Sequence, residues 1–386
     1  MKDNLLNHSL IIARYGEIGL KSPRVRGRFE RQLKSNIKTA FECKIKISQG
    51  RIYIHPKNFD EALIKLKRIF GIVSFSPAIH TKTSYEDIEN DLGKYTEKLI
   101  GENLISSKTK FAVRCRRVGD HNFSSQEMAG FAGSIVRKKI DAPVDLSNPN
   151  IKIFLEVRED ETYIFHEKIK GPGGLPLGSQ GRLVALISSG IDSPVAAYLM
   201  MKRGCVITAI HFDNDPFAGP KVTENFKELI NKLNEYSYGF PIRTKIVKYG
   251  DYLEKCKDNA PEKLTCVLCK SGMYKLASEV AKKENALGIV DGSSVGQVAS
   301  QTLHNILATR ANAEFPILSP LIGLDKIEIE KISRKIGTFP ISEINDGGCS
   351  AVPRYPETKA ELSRVNDALE LINQEVEIRK AVEKLY

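Results

Sequence analysis

No stretch of this 386-residue chain approaches the roughly 20 consecutive apolar residues that a membrane-spanning helix requires. The N-terminus, Met1-Lys2-Asp3-Asn4, lacks the charged-then-apolar order of a secretory signal. A soluble, cytoplasmic protein with no membrane partner is therefore expected. The chain has no solenoid repeat and no low-complexity tract. The Gly-Lys-Ser/Thr of a Walker loop is missing, and so are a dinucleotide fingerprint and a Gly-rich adenosylmethionine loop. Seven cysteines in such a chain do not make a disulfide framework, and a second Cys-x-x-Cys to complete a four-thiolate zinc site is lacking. What remains is 41% hydrophobic and 27% charged, which suits globular cores, and the length suits two or three domains.

The net charge of +11 is uneven. Residues 1–180 hold 31 basic and 21 acidic side chains, whereas the remaining 27 and 26 nearly cancel. A basic half joined to a neutral half suggests that the first grips a polyanion. Residues 10–13 read as an apolar strand, 26–41 as a basic helix, and 44–47 and 51–54 as strands around Ser48-Gln49-Gly50. A helix over 60–70 and a strand near Val73 complete a ferredoxin-like α+β pattern. Lys21, Arg24, Arg26 and Arg28 form a cation-dense loop before the first helix, suited to phosphates. Further on, a helix over 85–100 precedes a strand over 111–116 that carries Arg114 and Arg116. A helix over 125–140 ends in Arg137-Lys138-Lys139, and strands over 151–156 and 162–168 flank an acidic turn. The Gly- and Pro-rich residues 171–181 mark a boundary. Beyond it, strands at 184–187, 206–212, 242–247, 287–291 and near Ile317 alternate with helices, the pattern of an α/β parallel sheet.

Ser188-Ser189-Gly190-Ile191-Asp192-Ser193 follows a buried-type strand and precedes a helix expected to open at Pro194. Small residues let backbone approach a ligand, and the helix start offers free N–H groups to an anion. Asp325-Lys326-Ile327-Glu328 is a capping-box pattern that starts a later helix. Cys266 and Cys269 form a Cys-x-x-Cys pair, and Cys349 lies within Asn345-Asp346-Gly347-Gly348-Cys349-Ser350. Four uses of these thiols stay open: structural zinc, a redox pair, an iron–sulfur cluster on three thiolates, or a persulfide carried by Cys349. Cys43, Cys115, Cys205 and Cys256 are isolated and read as small buried thiols.

The 188–193 loop resembles that of the PP-loop ATP pyrophosphatases, Ser-Gly-Gly-x-Asp-Ser, with Ser189 in place of a glycine. That family cleaves ATP between the α and β phosphates and attaches AMP to a substrate oxygen. Residues 188–197, 292–302, 320–326 and the Gly-rich boundary are similar to the tRNA 4-thiouridine synthetases, and so is the domain order over essentially the full chain. The resemblance implies an α/β and α+β multidomain fold: a ferredoxin-like domain over 1–76, a THUMP RNA-binding domain over 77–170, a linker over 171–181 and a PP-loop domain over 182–386. It implies ATP and Mg2+ as cofactors, tRNA as partner and conversion of uridine 8 to 4-thiouridine. Leu186 and Ile187 are then expected beside adenine, Ser188, Gly190 and Ser193 around phosphate, and His211 and Phe212 flanking the nucleotide. Gly292, Gln301 and Lys270, which stands where the family often has arginine, are further nucleotide positions.

Asp192 would hold magnesium pyrophosphate or position the attacked phosphate, Lys326 would stabilise charge at the α-phosphate, and Cys349 matches the family's catalytic cysteine. Each has a plainer use: His211 and Phe212 in the core, Gln301 at a helix cap, Lys326 in solvent. The tRNA contacts expected are Lys21, Arg24, Arg26, Arg28, Arg114, Arg116, Arg137 and Lys138. No rhodanese domain is read in residues up to Tyr386, so membership of the archaeal-type subgroup is expected. That subgroup implies a [4Fe-4S] cluster on Cys266, Cys269 and Cys349 with inorganic sulfide or persulfide as donor. A homodimer is expected because members of the family are often dimers. The rivals are a cluster-free persulfide route, another PP-loop tRNA ligase, and a tRNA-binding protein without catalysis.

Overall fold

The computed structural model describes residues 8–48, 50–344 and 347–385. Met1 to Asn4, Gln49 of the expected hairpin, and Asn345 and Asp346 near Cys349 lie outside them. The chain divides into two compact units, Met1–Gly174 and Leu175–Tyr386.

The first unit begins β1 (Leu10–Tyr15), α1 (Pro23–Ala40), β2 (Cys43–Ser48), β3 (Arg51–Pro56), α2 (Phe59–Leu66), β4 (Ile72–Lys82). It continues α3 (Tyr85–Gly101), β5 (Phe111–Val118), α4 (Ser125–Lys139), β6 (Ile151–Arg158), β7 (Glu161–Phe165) and the short β8 (Ile169–Lys170). Local chemistry sets the helix ends. Ser84 and Ser124 accept the N–H groups of Asp87 and Glu127, and Glu127 closes a capping box at the start of α4. Phe29, Leu33, Ile37 and Ala40 recur at the spacing of one helix face and bury it.

The expected start of α1 near residue 26 was too late. Pro23 already occupies the first helical position, where its missing N–H costs nothing, so Arg24, Arg26 and Arg28 are helical rather than in a loop.

A single sheet runs β2-β3-β1-β4-β7-β6-β5, with β8 beside β4. Residue 76, the expected end of the ferredoxin-like part, lies inside β4. That strand pairs with β1 as far as Ala78 and with β7 from Ile79 onward. The two N-terminal modules therefore share one sheet. Periodicity foretells strands, but strand pairing between modules is a long-range choice.

One ionic cluster sits on this sheet. Glu156 on β6 takes Arg51 Nε at 2.6 Å, Arg158 Nη2 at 2.6 Å and Arg14 Nη2 at 3.5 Å, with only 6% of its side chain exposed. Burial alone would raise the Glu156 carboxyl, yet the three guanidiniums overcome it and hold the group below its ordinary range. A carboxyl depressed on folding contributes stability above its unfolded pKa and loses it as pH falls through the folded one. Resistance to urea is therefore expected to fall below about pH 4.3. At neutral pH, Glu156→Gln takes the carboxylate away from the buried Arg14 and Arg51 and is expected to cost about 3–5 kcal/mol of unfolding free energy. Urea titrations of both proteins at neutral and acid pH check this, and a variant with the wild-type midpoint at neutral pH refutes it.

The second unit opens with β9 (Arg182–Leu186), α5 (Asp192–Lys202), β10 (Val206–Asp213), α6 (Pro220–Asn234), β11 (Arg243–Lys248), α7 (Gly250–Asp258) and α8 (Thr265–Lys283). Then come β12 (Ile289–Val290), α9 (Leu303–Arg310), β13 (Ile317–Leu318), α10 (Lys326–Ile336), α11 (Phe339–Ser342), α12 (Leu362–Leu371) and α13 (Gln374–Glu383). All strand pairs are parallel, in the order β11-β10-β9-β12-β13. The chain steps one way from β9 to β10 and β11, then crosses back to β12. Strand order thus reverses beside β9, the place where open α/β sheets leave a crevice at their C-terminal ends.

The Gly- and Pro-rich stretch at 171–181 is bound down on both units. Gly171 and Gly173 donate to the carbonyls of Val73 and Ile72 at 2.9 and 2.8 Å in the first. Leu175 and Gly178 donate to Lys202 and Gly204, both at 3.0 Å, in the second.

Candidate active site

The 188–193 turn sits at the end of β9 and is closed by its own hydroxyls. Ser188 N donates to Ser193 Oγ at 2.9 Å, the two serine hydroxyls stand 3.1 Å apart, and Gly190 N reaches Ser188 Oγ at 3.3 Å. The helix opens at Asp192, not at the expected Pro194. Proline thus falls third, still among the first four positions whose N–H groups have no helical partner. Gly292, after β12, crosses directly against this turn. A Cβ there would lie 2.8 Å from Ser193 N and 3.0 Å from the Asp192 carbonyl carbon, so the two strand-end loops meet backbone to backbone.

Asp192 is held from two distant segments. Lys326 Nζ lies 3.1 Å from its Oδ1, and Gln297 Nε2 donates to its Oδ2 at 3.0 Å. Lys326 opens α10, whose expected capping box of Asp325 and Glu328 is present, with Gly337 ending the helix at φ 78. Gln301 neither caps a helix nor faces the cavity beside the turn. Its Oε1 accepts Ser294 N at 3.1 Å and closes the loop that carries Gln297. Lys270 on α8 donates to Ser293 Oγ at 3.0 Å. Burial lowers its pKa, while Asp291 acts in the opposite sense. Asp291 gathers Ser319 Oγ at 2.5 Å, Ser293 Oγ at 2.8 Å, Arg310 Nη2 at 3.1 Å and the Tyr274 hydroxyl.

Beside the turn lies a cavity of about 230 Å³. Leu186, Ile187 and Ser188 form one wall, and His211 and Phe212 at the end of β10 another. Ser189, Asn214, Met273 and Cys349 also border it. His211 is a satisfied core residue as well: its Nδ1 is 3.0 Å from the Ile187 carbonyl, its Nε2 is 3.3 Å from Thr223 Oγ1, and it stacks on Phe226. Burial lowers its pKa, so the ring is neutral at neutral pH.

Cys349 is tethered by its neighbour, since Ser350 donates both N and Oγ to the Phe217 carbonyl, at 2.8 and 3.1 Å. Cys266 and Cys269 share the first turn of α8, which Tyr249 fixes by donating to the Cys269 carbonyl at 2.8 Å. Burial raises the Cys266 thiol, and nearby Cys349 raises it further. Cys269 is raised by burial first, then by Cys256, Cys266 and Cys349. Cys256 is therefore not isolated, as the sequence suggested, but the buried neighbour of this set. Of the other thiols read as buried, Cys205 is, whereas Cys43 and Cys115 are half-buried. Among the described residues no three Cys, His, Asp or Glu side chains stand in an arrangement that holds a metal ion.

Residues 10–76 match the ThiI ferredoxin-like domain, residues 86–167 the THUMP domain, and residues 178–374 the family described as thiamine biosynthesis protein (ThiI). A probable tRNA sulfurtransferase of Methanobrevibacter smithii is 61% identical over 98% of this chain and all of its own length. Its counterpart in Methanothermobacter thermautotrophicus is 57% identical over 98% of each chain. The chain belongs to the tRNA sulfurtransferase family. A crystal structure of a 4-thiouridine synthetase–RNA complex with bound ATP is similar to it with a TM-score of 0.88, at 30% identity over 97% of both chains.

The cations expected to touch RNA differ in availability. Lys21, Arg24 and Arg28 are exposed about the start of α1, whereas Arg26 donates to the Gly19 carbonyl at 3.1 Å. Arg116 is exposed, and Arg114 donates to the Leu146 carbonyl. Arg114 and Arg137 border a groove between β5 and α4 floored by Ala129, Gly130 and Gly133. Arg137 also faces Asp141 at 3.6 Å, and Lys138 is paired with Glu89 at 2.8 Å. Gln297, Asp291, Ser293 and Arg310 escaped the sequence reading. Ser293 and Gln297 had a hint, as both lie within the 292–302 segment that carried the resemblance. None of the described helices is long and apolar enough to cross a membrane.

Proposed function

We propose that this chain uses ATP to adenylate uridine 8 of tRNA and replaces the O4 oxygen with sulfur, giving 4-thiouridine. The observation that carries this reading is that Cys349 borders the same cavity as the 188–193 turn. A carbon activated at that turn and a sulfur borne near Cys349 would need no long transfer. The similar 4-thiouridine synthetase complex with RNA and ATP supports the substrate pair.

In the reaction the uridine O4 attacks the α-phosphate and pyrophosphate leaves. Sulfur then adds at C4, and AMP departs with the former O4. Leu186, Phe212 and Met273 offer apolar surface to the adenine, and the free N–H groups opening α5 face the phosphates. Lys326 and Lys270 supply positive charge where the α-phosphate gains negative charge. Asp192 is a single carboxylate beside that site, which fits Mg2+ held mainly by phosphates and water.

By donor chemistry Cys266, Cys269 and Cys349 suit a [4Fe-4S] cluster, and those three thiolates would hold it once gathered closer than they stand here. Such a group, when bound, supplies an iron with an open position for sulfide. The chain's own part is to keep the two α8 thiols on one turn and to tether Cys349 through Ser350. A homodimer is part of this reading. Leu303 and Leu307, four apart on α9 and each 68% exposed, give it an apolar face to cover.

The test is to incubate anaerobically purified protein with unmodified tRNA, ATP and sulfide, then digest the RNA and analyse its nucleosides by mass. 4-Thiouridine at position 8 with matching AMP is expected. AMP formation with any other acceptor, or no thionucleoside, overturns the proposal.

A further inference from the structure

The ionic cluster around Glu156 is short of negative charge. Arg14 on β1 and Arg51 on β3 have this one carboxylate between them, and Arg158 on β6 donates to it as well. Among the described residues, the ion pairs of Arg14 and Arg51 end on Glu156. Their side chains are only 13% exposed, and that of Arg158 only 7%. Arg14 Nη2 donates no hydrogen bond within the usual limit.

A fourth cation closes the outer side. Lys168 is exposed, with Nζ 3.8 Å above the Phe154 ring, and Phe154 stacks on Phe165 at 5.2 Å. Arg14 lies 4.9 Å over that same Phe165. The field of this group is felt within it: burial lowers the Lys168 pKa first, and Arg14, Arg51 and Arg116 push it the same way against Glu156. Charged side chains are seldom this buried unless paired, and an uncompensated buried charge is costly. Nothing in the mechanism above draws on these residues.

We propose that Arg14, Arg51, Arg158 and Lys168 form a phosphate-binding site on the sheet face where β1, β3 and β6 carry the Glu156 cluster. The planar guanidiniums suit a tetrahedral oxyanion, and the aromatic pair beneath keeps them from spreading. The phosphate enters past Lys168, the exposed member. Its source is the RNA backbone, which adds a contact outside the eight cations singled out from sequence. For that source the inference rests on the tRNA reading, whereas the site's affinity for phosphate as such does not.

The experiment uses the full chain and Lys168→Met, which keeps the apolar stem over Phe154, together with Arg51→Gln. In one arm, thermal midpoints are compared in phosphate and in chloride at equal ionic strength. Wild type gains from phosphate, and both variants gain less. In the other arm, tRNA affinity is measured against salt concentration. Each variant is expected to bind more weakly and to lower the slope of log K against log salt by about 1.

Variants that lose the phosphate gain yet keep the wild-type tRNA slope assign the site to free phosphate and overturn RNA as its occupant. Variants that match wild type in both arms overturn the site. A wild-type protein that binds no tRNA overturns the tRNA reading instead, and the phosphate arm still decides this one.

Discussion

Asp192→Ala is expected to cut tRNA-dependent pyrophosphate release by about 100- to 1000-fold, the loss seen when one preorganised group that acts on the developing charge is removed. The carboxylate stands at the first position of α5, with Lys326 Nζ 3.1 Å from one oxygen and Gln297 Nε2 3.0 Å from the other. It thus holds one cation and one amide in register with the turn. Removing it frees both and takes away the only carboxylate of that turn. Folding should survive, because an acidic residue in the first turn of a helix typically contributes about 0.3–1 kcal/mol. Asp192→Asn separates the two duties. It keeps a partner for Gln297 but loses the charge, and the same fall in release would show that charge matters rather than shape. Release at the wild-type rate in both variants, with tRNA and ATP still bound, would remove Asp192 from the chemistry.

What could be foreseen here was local. The Asp325–Glu328 capping box spans four residues and needs no tertiary contact, so the pattern alone sufficed. The strand, turn and helix around Ser188 are likewise contiguous, and their one misplacement, Pro194 for Asp192, is within the usual uncertainty of helix ends. Contacts that cross the chain were out of reach. Gln297 meets Asp192 across 105 residues, and Arg310, at the end of α9, meets Asp291 across 19. Cys256 looked isolated because its neighbour Cys269 lies on the next long helix, packed against it rather than beside it in sequence. The single sheet of the first unit was hidden for the same reason. β4 reads as one strand, and nothing in its side-chain alternation says that its two ends serve different partners.

Cys349→Ser is expected to abolish thiolation, to below about 1% of wild type, because a hydroxyl neither replaces a thiolate as nucleophile nor binds iron as one. Pyrophosphate release should stay within a few-fold of wild type. Cys349 borders the cavity from its own loop, which Ser350 tethers to Phe217, and it makes none of the bonds that close the 188–193 turn. The variant therefore separates activation from sulfur transfer, which nucleoside analysis and pyrophosphate assay on one reaction detect. Loss of both activities together would mean that Cys349 shapes the nucleotide cavity and does not serve sulfur. The two α8 thiols then distinguish the routes. If the three thiolates act as one set, Cys266→Ser and Cys269→Ser lose thiolation as fully as Cys349→Ser, and each loses iron on reconstitution. If Cys349 alone carries a persulfide, both variants thiolate at near the wild-type rate. Cys269 is the more telling of the two, since burial and three neighbouring thiols keep its proton on when nothing coordinates it. A serine there disturbs little unless a metal needs that thiolate.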